Sequence, residues 1–398
     1  MTKKTSFNIF KVTMSIFLSV PKKEFLKILT LANNISFKKD FESEVFSQSK
    51  ITLKNEMVLF EAVNPDTYLK ANFKPSQLNL ETESFVFLVK TELFFASISL
   101  LSDEEIGLEI DTDKKTMKIQ GSKAKHQIRI STENIEDYYT PNLDTEKTQT
   151  QIKISTNILQ EALKACNISV GQAKKVYQPE FLNICFTVNG ENLFLVSSDR
   201  YRIIKNVLEC EYLKKSEETV NYLVLPKNLN YLTAFSSEFL QIDFNGEFLQ
   251  IQSDELTLIT RYGDGKYPDY DKIIPQSFSC QFELDTKETL NGLKQVQFAA
   301  RTDLTNRRVT LDIKPSLNKI LLSSKSESGE VSQYELDLIE YEGVNEDWSQ
   351  AFNSQYLLDY LQLLSAEKVL FEANPGKPAV LSQKDQKAKQ LYLISGLK

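Results

Sequence analysis

Short runs of alternating apolar and polar residues dominate the chain and predict a protein rich in β-strands. The segments ITLKNEMVLFEAV, NLFLVSSD, TLIT and KILLSS are rich in β-branched or aromatic residues and are bounded by polar turns. Helical periodicity is confined to a few segments, and these segments resemble one another. The helical segments therefore indicate how the chain is organised.

Three segments begin like helices and share a local pattern. They are PKKEFLKILTLA (21–32), TNILQEALKAC (156–166) and TKETLNGLKQVQFAA (286–300). Each contains a Leu-Lys pair, and the pairs are 137 and 130 residues apart. The pairs are Leu26-Lys27, Leu163-Lys164 and Leu293-Lys294.

A second set of helices ends in a shared pattern, LSDE, FSSE or LSAE, and each is followed by a strand. Its serines, Ser102, Ser236 and Ser365, are 134 and 129 residues apart. Two independent markers thus agree on one period and predict an internal triplication. Each copy has two helices and several strands, so the fold class is α+β, with three tandem domains. The predicted boundaries are an extension at 1–13 and domains at 14–146, 147–275 and 276–398.

The first helix of each copy carries a polar stripe without an acid at positions i, i+4 and i+7. The chain as a whole is acidic, with 47 basic and 54 acidic residues and a net charge of −7. A recurring lysine on such a stripe favours a surface that faces a polyanion, and contacts would be to phosphates, blind to sequence. Three solvated helix faces remain the alternative. The stripes are Lys23, Lys27 and Thr30; Gln160, Lys164 and Asn167; and Lys287, Asn291 and Lys294.

The composition of the chain disfavours several kinds of catalytic and metal-binding site. The four cysteines show no CxxC spacing, which disfavours a zinc site or redox motif and indicates reduced thiols. The single histidine, His126, leaves little material for histidine-based catalysis. No cofactor or metal is expected. No apolar run is long enough to span a membrane, and the basic N-terminus lacks a cleavage signature, so we expect a cytoplasmic protein without membrane contact.

Four motifs, in this order and beside the triplication, resemble one known family. They are SSDRYRI (197–203), YPDYDKIIP (267–275), FNSQYLLDYL (352–361) and YLISGLK (392–398). The sequence resembles the bacterial DNA polymerase III beta subunit family, the sliding clamps, over residues 14–398. The resemblance implies three tandem copies of a DNA-clamp domain, closed by a head-to-tail homodimer into a ring around duplex DNA. Helices would line the hole and sheets would form the outer shell, and the protein would be a processivity factor, not an enzyme.

The resemblance also implies a pocket between the second and third domains that binds short partner peptides. Such peptides typically carry a glutamine and an aliphatic-aromatic end, and their owners would include the polymerase III alpha subunit and the clamp loader. Arg202 and Lys272 would bond peptide carbonyls or carboxylates at the rim, unless Arg202 pairs with a neighbouring acid. The matching positions are Phe181, Ser198, Arg200, Tyr201, Arg202, Ile203, Pro268, Lys272, Ile273, Asn353, Tyr356, Pro378, Leu393, Ser395 and Leu397.

The same resemblance assigns a DNA-facing set and a dimer interface. The DNA-facing residues are Lys23, Lys27, Lys164, Lys174, Lys175, Lys287 and Lys294. At the ring-closing interface, Ile128 and Ile130 would form an apolar edge strand opposite Ala300 and Arg301. That second pair is less apolar than the family pattern, and Arg200 stands where many clamps have a glycine.

Two alternatives stay open from the sequence. A β-rich scaffold would share the peptide pocket but would not encircle DNA. A metal-dependent nuclease would use Asp264, Asp269 and Asp271, but no wider constellation of ligands or bases accompanies them.

Overall fold

The computed structural model describes residues 15–36, 44–141, 147–172, 178–189, 192–216, 218–300, 307–383 and 389–397. Runs of several strands separate the few helices along the described chain, in the α+β manner predicted from the sequence. The helices are α1 (Lys22–Ile35), α2 (Thr91–Ser99), α3 (Thr156–Asn167), α4 (Pro226–Leu229), α5 (Thr286–Ala300) and α6 (Ser354–Leu361).

The strands of the first third of the chain are β1 (Ser15–Pro21), β2 (Gln48–Lys54), β3 (Met57–Val63), β4 (Thr67–Phe73), β5 (Gln77–Asn79), β6 (Ser84–Lys90), β7 (Glu105–Asp111), β8 (Thr116–Gln120) and β9 (Lys125–Ser131). Those of the middle third are β10 (Thr148–Ser155), β11 (Ile184–Val188), β12 (Leu193–Ser198), β13 (Arg202–Leu208), β14 (Glu211–Lys214), β15 (Val220–Val224), β16 (Phe239–Asn245), β17 (Phe248–Gln252) and β18 (Leu256–Arg261). The last third contains β19 (Cys280–Asp285), β20 (Arg308–Lys314), β21 (Lys319–Lys325), β22 (Val331–Asp337), β23 (Ile339–Glu342), β24 (Trp348–Asn353), β25 (Lys368–Ala373), β26 (Ala379–Ser382) and β27 (Gln390–Ile394).

The element order repeats three times, which confirms the triplicated fold class. β1, β10 and β19 each lead directly into a long helix, α1, α3 and α5 respectively. β6, β15 and β24 each lead into a second helical segment, and β7, β16 and β25 follow those segments. The Leu-Lys and Ser-Glu markers of the sequence therefore lie at equivalent structural places.

The chain forms two compact units that do not follow the repeat boundaries. The first contains the described residues up to 151 together with 231–261, and the second contains 152–230 and 262–398. In the first unit, β18 of the second repeat pairs antiparallel with β4 of the first, joining Ile259 to Tyr68. In the second unit, β13 of the second repeat pairs with β27 of the third. Because sheets run across neighbouring repeats, the three-domain division at 146 and 275 stays a prediction.

The core of the first unit forms where α1 packs its apolar face on the sheet. Phe25 lies edge-on to Phe60 of β3 and Phe94 of α2, with ring centroids 6.4 and 5.7 Å apart. Lys23 and Lys27 lie on the opposite, exposed side of the same helix. Helical spacing thus separates a buried apolar face from an exposed basic one. Among the described helices, none combines the length and the apolar composition needed to cross a membrane.

Candidate peptide pocket and nucleic-acid surface

A tight turn, Asp199-Arg200-Tyr201, joins β12 to β13 in the second unit. Ser198 and Ile203 are register partners on either side of it. Oδ1 of Asp199 accepts hydrogen bonds from the backbone N–H groups of Tyr201 and Arg202, at 3.1 and 3.2 Å. Arg200 takes a left-handed backbone, with φ of 80°. A glycine at this position would adopt this conformation without a Cβ penalty.

Arg202 turns inward and is held by two carboxylates. Its side chain donates from Nε to Asp199, at 2.9 Å, and from Nη1 to Asp359 of α6, at 2.7 Å. Arg202 is only 8% exposed. The alternative prediction, in which this arginine pairs with a neighbouring acid, matches the geometry. Burial raises the pKa of the Asp199 carboxyl, while the charge of Arg202 and its hydrogen bonds oppose that shift.

Aromatic rings surround the Arg202 guanidinium. Its central carbon lies 4.1 Å from the centre of the Tyr356 ring, a cation–π arrangement. Tyr392 of β27 donates its hydroxyl to the backbone carbonyl of Tyr356 at 2.9 Å and stacks on Tyr360 at 4.4 Å between centroids. Burial raises the pKa of Tyr356 to about 12, so this ring stays neutral at physiological pH. The result is a rigid wall that links β13, α6 and β27.

The segment 265–275, which contains the YPDYDKIIP motif, has both buried and exposed residues. Tyr267 and Tyr270 are buried in an apolar cluster with Ile203 and Leu393. Ile273, in contrast, is 49% exposed. Lys272 is also exposed and pairs with Asp269 at 2.7 Å.

The C-terminal segment, residues 395–397, is hydrogen-bonded to the turn at Tyr201 and to β24. The N–H of Ser395 donates to the carbonyl of Tyr201 at 2.8 Å, and the N–H of Leu397 donates to the carbonyl of Ala351 in β24 at 2.7 Å. Asn353, at the end of β24, caps α6 by accepting a hydrogen bond from the N–H of Gln355 at 2.9 Å. These contacts bring the motifs at 197–203, 352–361 and 392–398 together.

The predicted pocket residues therefore fall into two classes. Tyr201, 58% exposed, and Ile273 present apolar surface to solvent, whereas Ile203 and Leu393 are buried beneath them. Sequence reasoning missed Asp199 and Asp359, which position Arg202. Asp199 lies inside the SSDRYRI motif and Asp359 lies three residues after Tyr356 in the α6 motif, so both were within quoted segments. The remaining predicted positions are Phe181 and Ser198, both buried, the partly exposed Pro268, Asn353, Tyr356, Pro378, Ser395 and Leu397, and the exposed Arg200.

The DNA-facing prediction involves one exposed helix face in each repeat. Lys23 and Lys27 on α1, Lys164 on α3, and Lys287 and Lys294 on α5 are all exposed. Lys174 and Lys175 lie outside the described residues. The exposed lysines are ones that helix periodicity places opposite the buried face.

The predicted dimer interface involves β9 of the first unit, which lies between β6 and β8 in the sheet order. Residues 125–129 of β9 pair with β8, and its last two residues, Ile130 and Ser131, pair with Val89 and Leu88 of β6. Ile128 is half-buried and Ile130 is buried. Ala300 ends α5, and Arg301 lies outside the described residues. Phe298, on the last turn of α5, is 68% exposed.

The aspartates of the nuclease alternative have other partners. Asp269 pairs with Lys272, and Asp271 pairs with Lys205 at 2.6 Å. Within the described residues no group of three His, Cys, Asp or Glu side chains is placed to hold a metal ion.

Comparisons with known proteins find similarity to beta sliding clamps. Residues 271–395 match the family model of the DNA polymerase III beta subunit, C-terminal domain. The chain is 22% identical to the beta sliding clamp of Helicobacter pylori (strain J99) over 94% of its own length and 96% of that protein's.

Solved structures agree on the fold. A sliding clamp (DNA polymerase III subunit beta) of Pseudomonas aeruginosa bound to griselimycin superimposes with a TM-score of 0.84 at 14% identity, over 97% of this chain and 100% of that one. The Helicobacter pylori beta clamp bound to a DNA ligase peptide gives a TM-score of 0.80 at 19% identity, over 96% of this chain and 100% of that one. The chain thus has the sliding-clamp fold over nearly its whole length, and the resemblance of its motifs to the DNA polymerase III beta subunit is confirmed.

Proposed function

We propose that this protein is a sliding clamp, a non-catalytic processivity factor of DNA polymerase III. It encircles duplex DNA as a head-to-tail homodimer and tethers the polymerase III alpha subunit, the clamp loader and other proteins that carry a clamp-binding peptide. Its place of action would be the cytoplasm, where bacterial DNA is replicated.

The observation that carries the proposal is the wall built by Arg202, Tyr356 and Tyr392. This wall joins three motifs that are far apart in sequence and leaves Tyr201 and Ile273 exposed beside it. A rigid rim with exposed aromatic and aliphatic anchors suits a short peptide with an aliphatic-aromatic end. Two related clamps are described with a DNA ligase peptide or griselimycin bound.

The exposed lysines support the DNA-binding part of the proposal. They recur on the first helix of each repeat in a protein whose net charge is −7. Individually weak phosphate contacts let a ring slide, because topology, not affinity, keeps the ring on DNA.

Charge and shape at two strands support the dimer. β9 presents Lys125 and Arg129 on its exposed positions, whereas β22 presents Glu335 and Asp337, which share one ion-pair partner, Lys319 of β21. β22 lies at the end of a four-stranded sheet in the order β22-β21-β20-β24. The basic side chains of β9 in one copy and the acidic side chains of β22 in another can attract each other in a head-to-tail dimer. The exposed Phe298 supplies apolar area near the predicted Ala300 contact.

The test is retention on DNA of defined topology. Protein loaded on nicked circular DNA with the clamp loader of its source should stay bound through gel filtration at high salt, and linearising the DNA should release it. Light scattering should give twice the protomer mass of 45.7 kDa. A monomer that binds the peptide but leaves circular and linear DNA equally fast would support the non-encircling scaffold instead.

A further inference from the structure

Gln355 lies in the first turn of α6, inside the FNSQYLLDYL motif, and both ends of its side-chain amide are hydrogen-bonded. Oε1 accepts from Nη1 of Arg307, at 2.6 Å, and from Nε2 of Gln297 in α5, at 3.3 Å. Nε2 donates to Oδ1 of Asp359, at 2.8 Å. A flipped amide would turn its NH2 group toward two donors, so these partners fix the orientation of the Gln355 side chain.

The Asp359 carboxylate links Gln355 to Arg202. Its Oδ1 accepts the Gln355 amide, whereas its Oδ2 accepts Nη1 of Arg202, at 2.7 Å. Gln355 and Asp359 occupy positions i and i+4 of α6, where side chains are neighbours on one face of the helix. Because both oxygens belong to one planar group, a bond that fixes Oδ1 also fixes where Oδ2 points. The Gln355 amide therefore helps to set the direction from which Arg202 is held over the Tyr356 ring.

The other partners of the Gln355 amide lie outside the predicted pocket positions. Gln297 is half-buried in the last turn of α5, and Arg307 is half-buried directly before β20. The backbone carbonyl of Arg307 also accepts a hydrogen bond from the N–H of Ser354, at 2.9 Å, so Arg307 is bonded to two successive residues of α6. Its backbone is left-handed, with φ of 43°, a conformation that a residue with a Cβ keeps where several contacts hold it. Gln355 thus takes its orientation from elements behind the rim.

We propose that Gln355 is a positioning residue of the peptide pocket. It orients the Asp359 carboxylate, and Asp359 together with Asp199 holds Arg202 at the rim beside the exposed Tyr201. The consequence for peptides rests on the proposed function, because the rim is a binding site only if the protein binds clamp-binding peptides. A bond that merely fastened α6 to α5 would contribute to stability and leave Arg202 in place.

The test moves the carboxylate from position 359 to position 355. Gln355→Glu keeps the side-chain length and can still accept from Arg307 and Gln297, but it cannot donate to Asp359 and adds a like charge beside it. Asp359→Asn alone sets an amide donor against either Gln355 or Arg202. The two changes together restore the network with one bond reversed, since the new amide donates to the new carboxylate and its oxygen accepts from Arg202. The net charge of the chain is the same in the double variant.

The first readout needs no peptide. Phenylglyoxal modifies accessible arginines, and Arg202 is only 8% exposed, so its labelling should be slow in the unaltered protein. Gln355→Glu should speed Arg202 labelling roughly fivefold, measured by mass spectrometry, and the double variant should slow it again. Arg200, exposed two residues away, is the internal control and should react at a constant rate. Equal Arg202 labelling in the unaltered protein and the variants would overturn the inference.

Two further variants control for folding and for the added charge. Gln295→Glu makes the same chemical change at an exposed position of α5 and should leave Arg202 labelling unchanged. Gln355→Met removes the amide without adding a charge and should speed the labelling, which keeps the test valid if Gln355→Glu does not fold. Urea denaturation identifies the variants that are folded under the labelling conditions.

The second readout is the affinity for a fluorescent peptide with a glutamine and an aliphatic-aromatic end, measured by anisotropy. Gln355→Glu should weaken binding roughly fivefold, and the double variant should recover most of it. Binding as weak in the double variant as in Gln355→Glu would mean that Asp359 does not transmit the effect, which would overturn the inference. If the unaltered protein bound no peptide while labelling followed the expected pattern, the proposed function would fail and the positioning of Arg202 by Gln355 would stand.

Discussion

The guanidinium of Arg202 lies over the ring of Tyr356, 4.1 Å from its centre, although 154 residues separate the two in sequence (356 − 202). Arg202 begins β13 and Tyr356 lies in the first turn of α6. The contact therefore fixes the rim of the proposed pocket across two repeats. Recognition surfaces that are held in place before binding lose less entropy when a peptide binds.

Replacing Arg202 by methionine should destabilise the second unit. The change leaves the half-buried Asp199 and Asp359 without their cation, and breaking a fully buried pair in this way costs about 3–5 kcal/mol, which is the upper limit here. Urea denaturation should show the loss, and peptide affinity should fall as well. Arg200→Met, two residues away and exposed, is the matched control and should change the unfolding free energy little. An Arg202→Met variant as stable as the control would contradict the assigned network.

Replacing Arg200 by glycine should stabilise the protein. A left-handed backbone costs a residue with a Cβ about 1 kcal/mol or more, and glycine avoids that cost. Glycine also increases the entropy of the unfolded chain, which offsets part of the gain in stability. We expect a net gain of a few tenths to about 1 kcal/mol in the free energy of unfolding. Arg200→Ala removes the same charge but keeps the strain, so it should show no such gain. Equal gains from both variants would assign the effect to charge.

The protein should lose stability in alkali because two thiols are buried. Burial raises the pKa of Cys166 and of Cys185 to about 12, from an ordinary value near 9.0. Above pH 9 the unfolded chain releases these protons while the folded chain keeps them. Stability is therefore fully present below pH 9 and falls as pH rises toward 12, by up to about 1.4 kcal/mol per pH unit and thiol.

Denaturant titrations of the unaltered protein and a thiol variant between pH 9 and 10 isolate this effect, because the buried tyrosines contribute equally to both proteins. The double variant Cys166→Ala and Cys185→Ala should show a shallower decline than the unaltered protein, whatever its stability at pH 7. Identical slopes would mean that these thiols ionise in the folded state.

Charge reversal at Lys164 and Lys294 should shorten retention on circular DNA and steepen its loss with salt, because two phosphate contacts become repulsive. Peptide binding should not change. Lys54→Glu, on an exposed position of β2, is a control outside the helix stripes. A parallel loss of peptide affinity in the stripe variant would contradict two separate sites.

Replacing Phe298 by aspartate should shift the dimer toward monomer. Burying a phenylalanine at an interface contributes about 1.5–3 kcal/mol per copy, and a charge there adds a desolvation cost. The dissociation constant should rise at least tenfold in sedimentation or light scattering at several concentrations. Leu213→Asp, another exposed apolar residue of the second unit, should leave the mass unchanged. An unaltered dimer would place Phe298 outside the interface.

Local patterns predicted the repeat and the lysine stripes well. The 3.6-residue period of a helix depends only on neighbouring residues, so Lys23, Lys164 and Lys294 could be assigned to exposed faces from sequence. The same reasoning did not separate Arg200 from Arg202. Arg200 is exposed, whereas Arg202 is buried and bonded to Asp359. Asp359 is 157 residues from Arg202, so no local pattern could reveal this contact.

The sequence by itself determined the α+β class, the threefold order of elements and the motifs that build the pocket, because these follow from short-range periodicity and from segments that can be read directly. Only the tertiary structure decided which motif residues support the pocket and which face solvent. It also revealed the exposed Phe298. Such features arise where strands from different repeats pair, and pairing over more than a hundred residues leaves no local pattern in the chain.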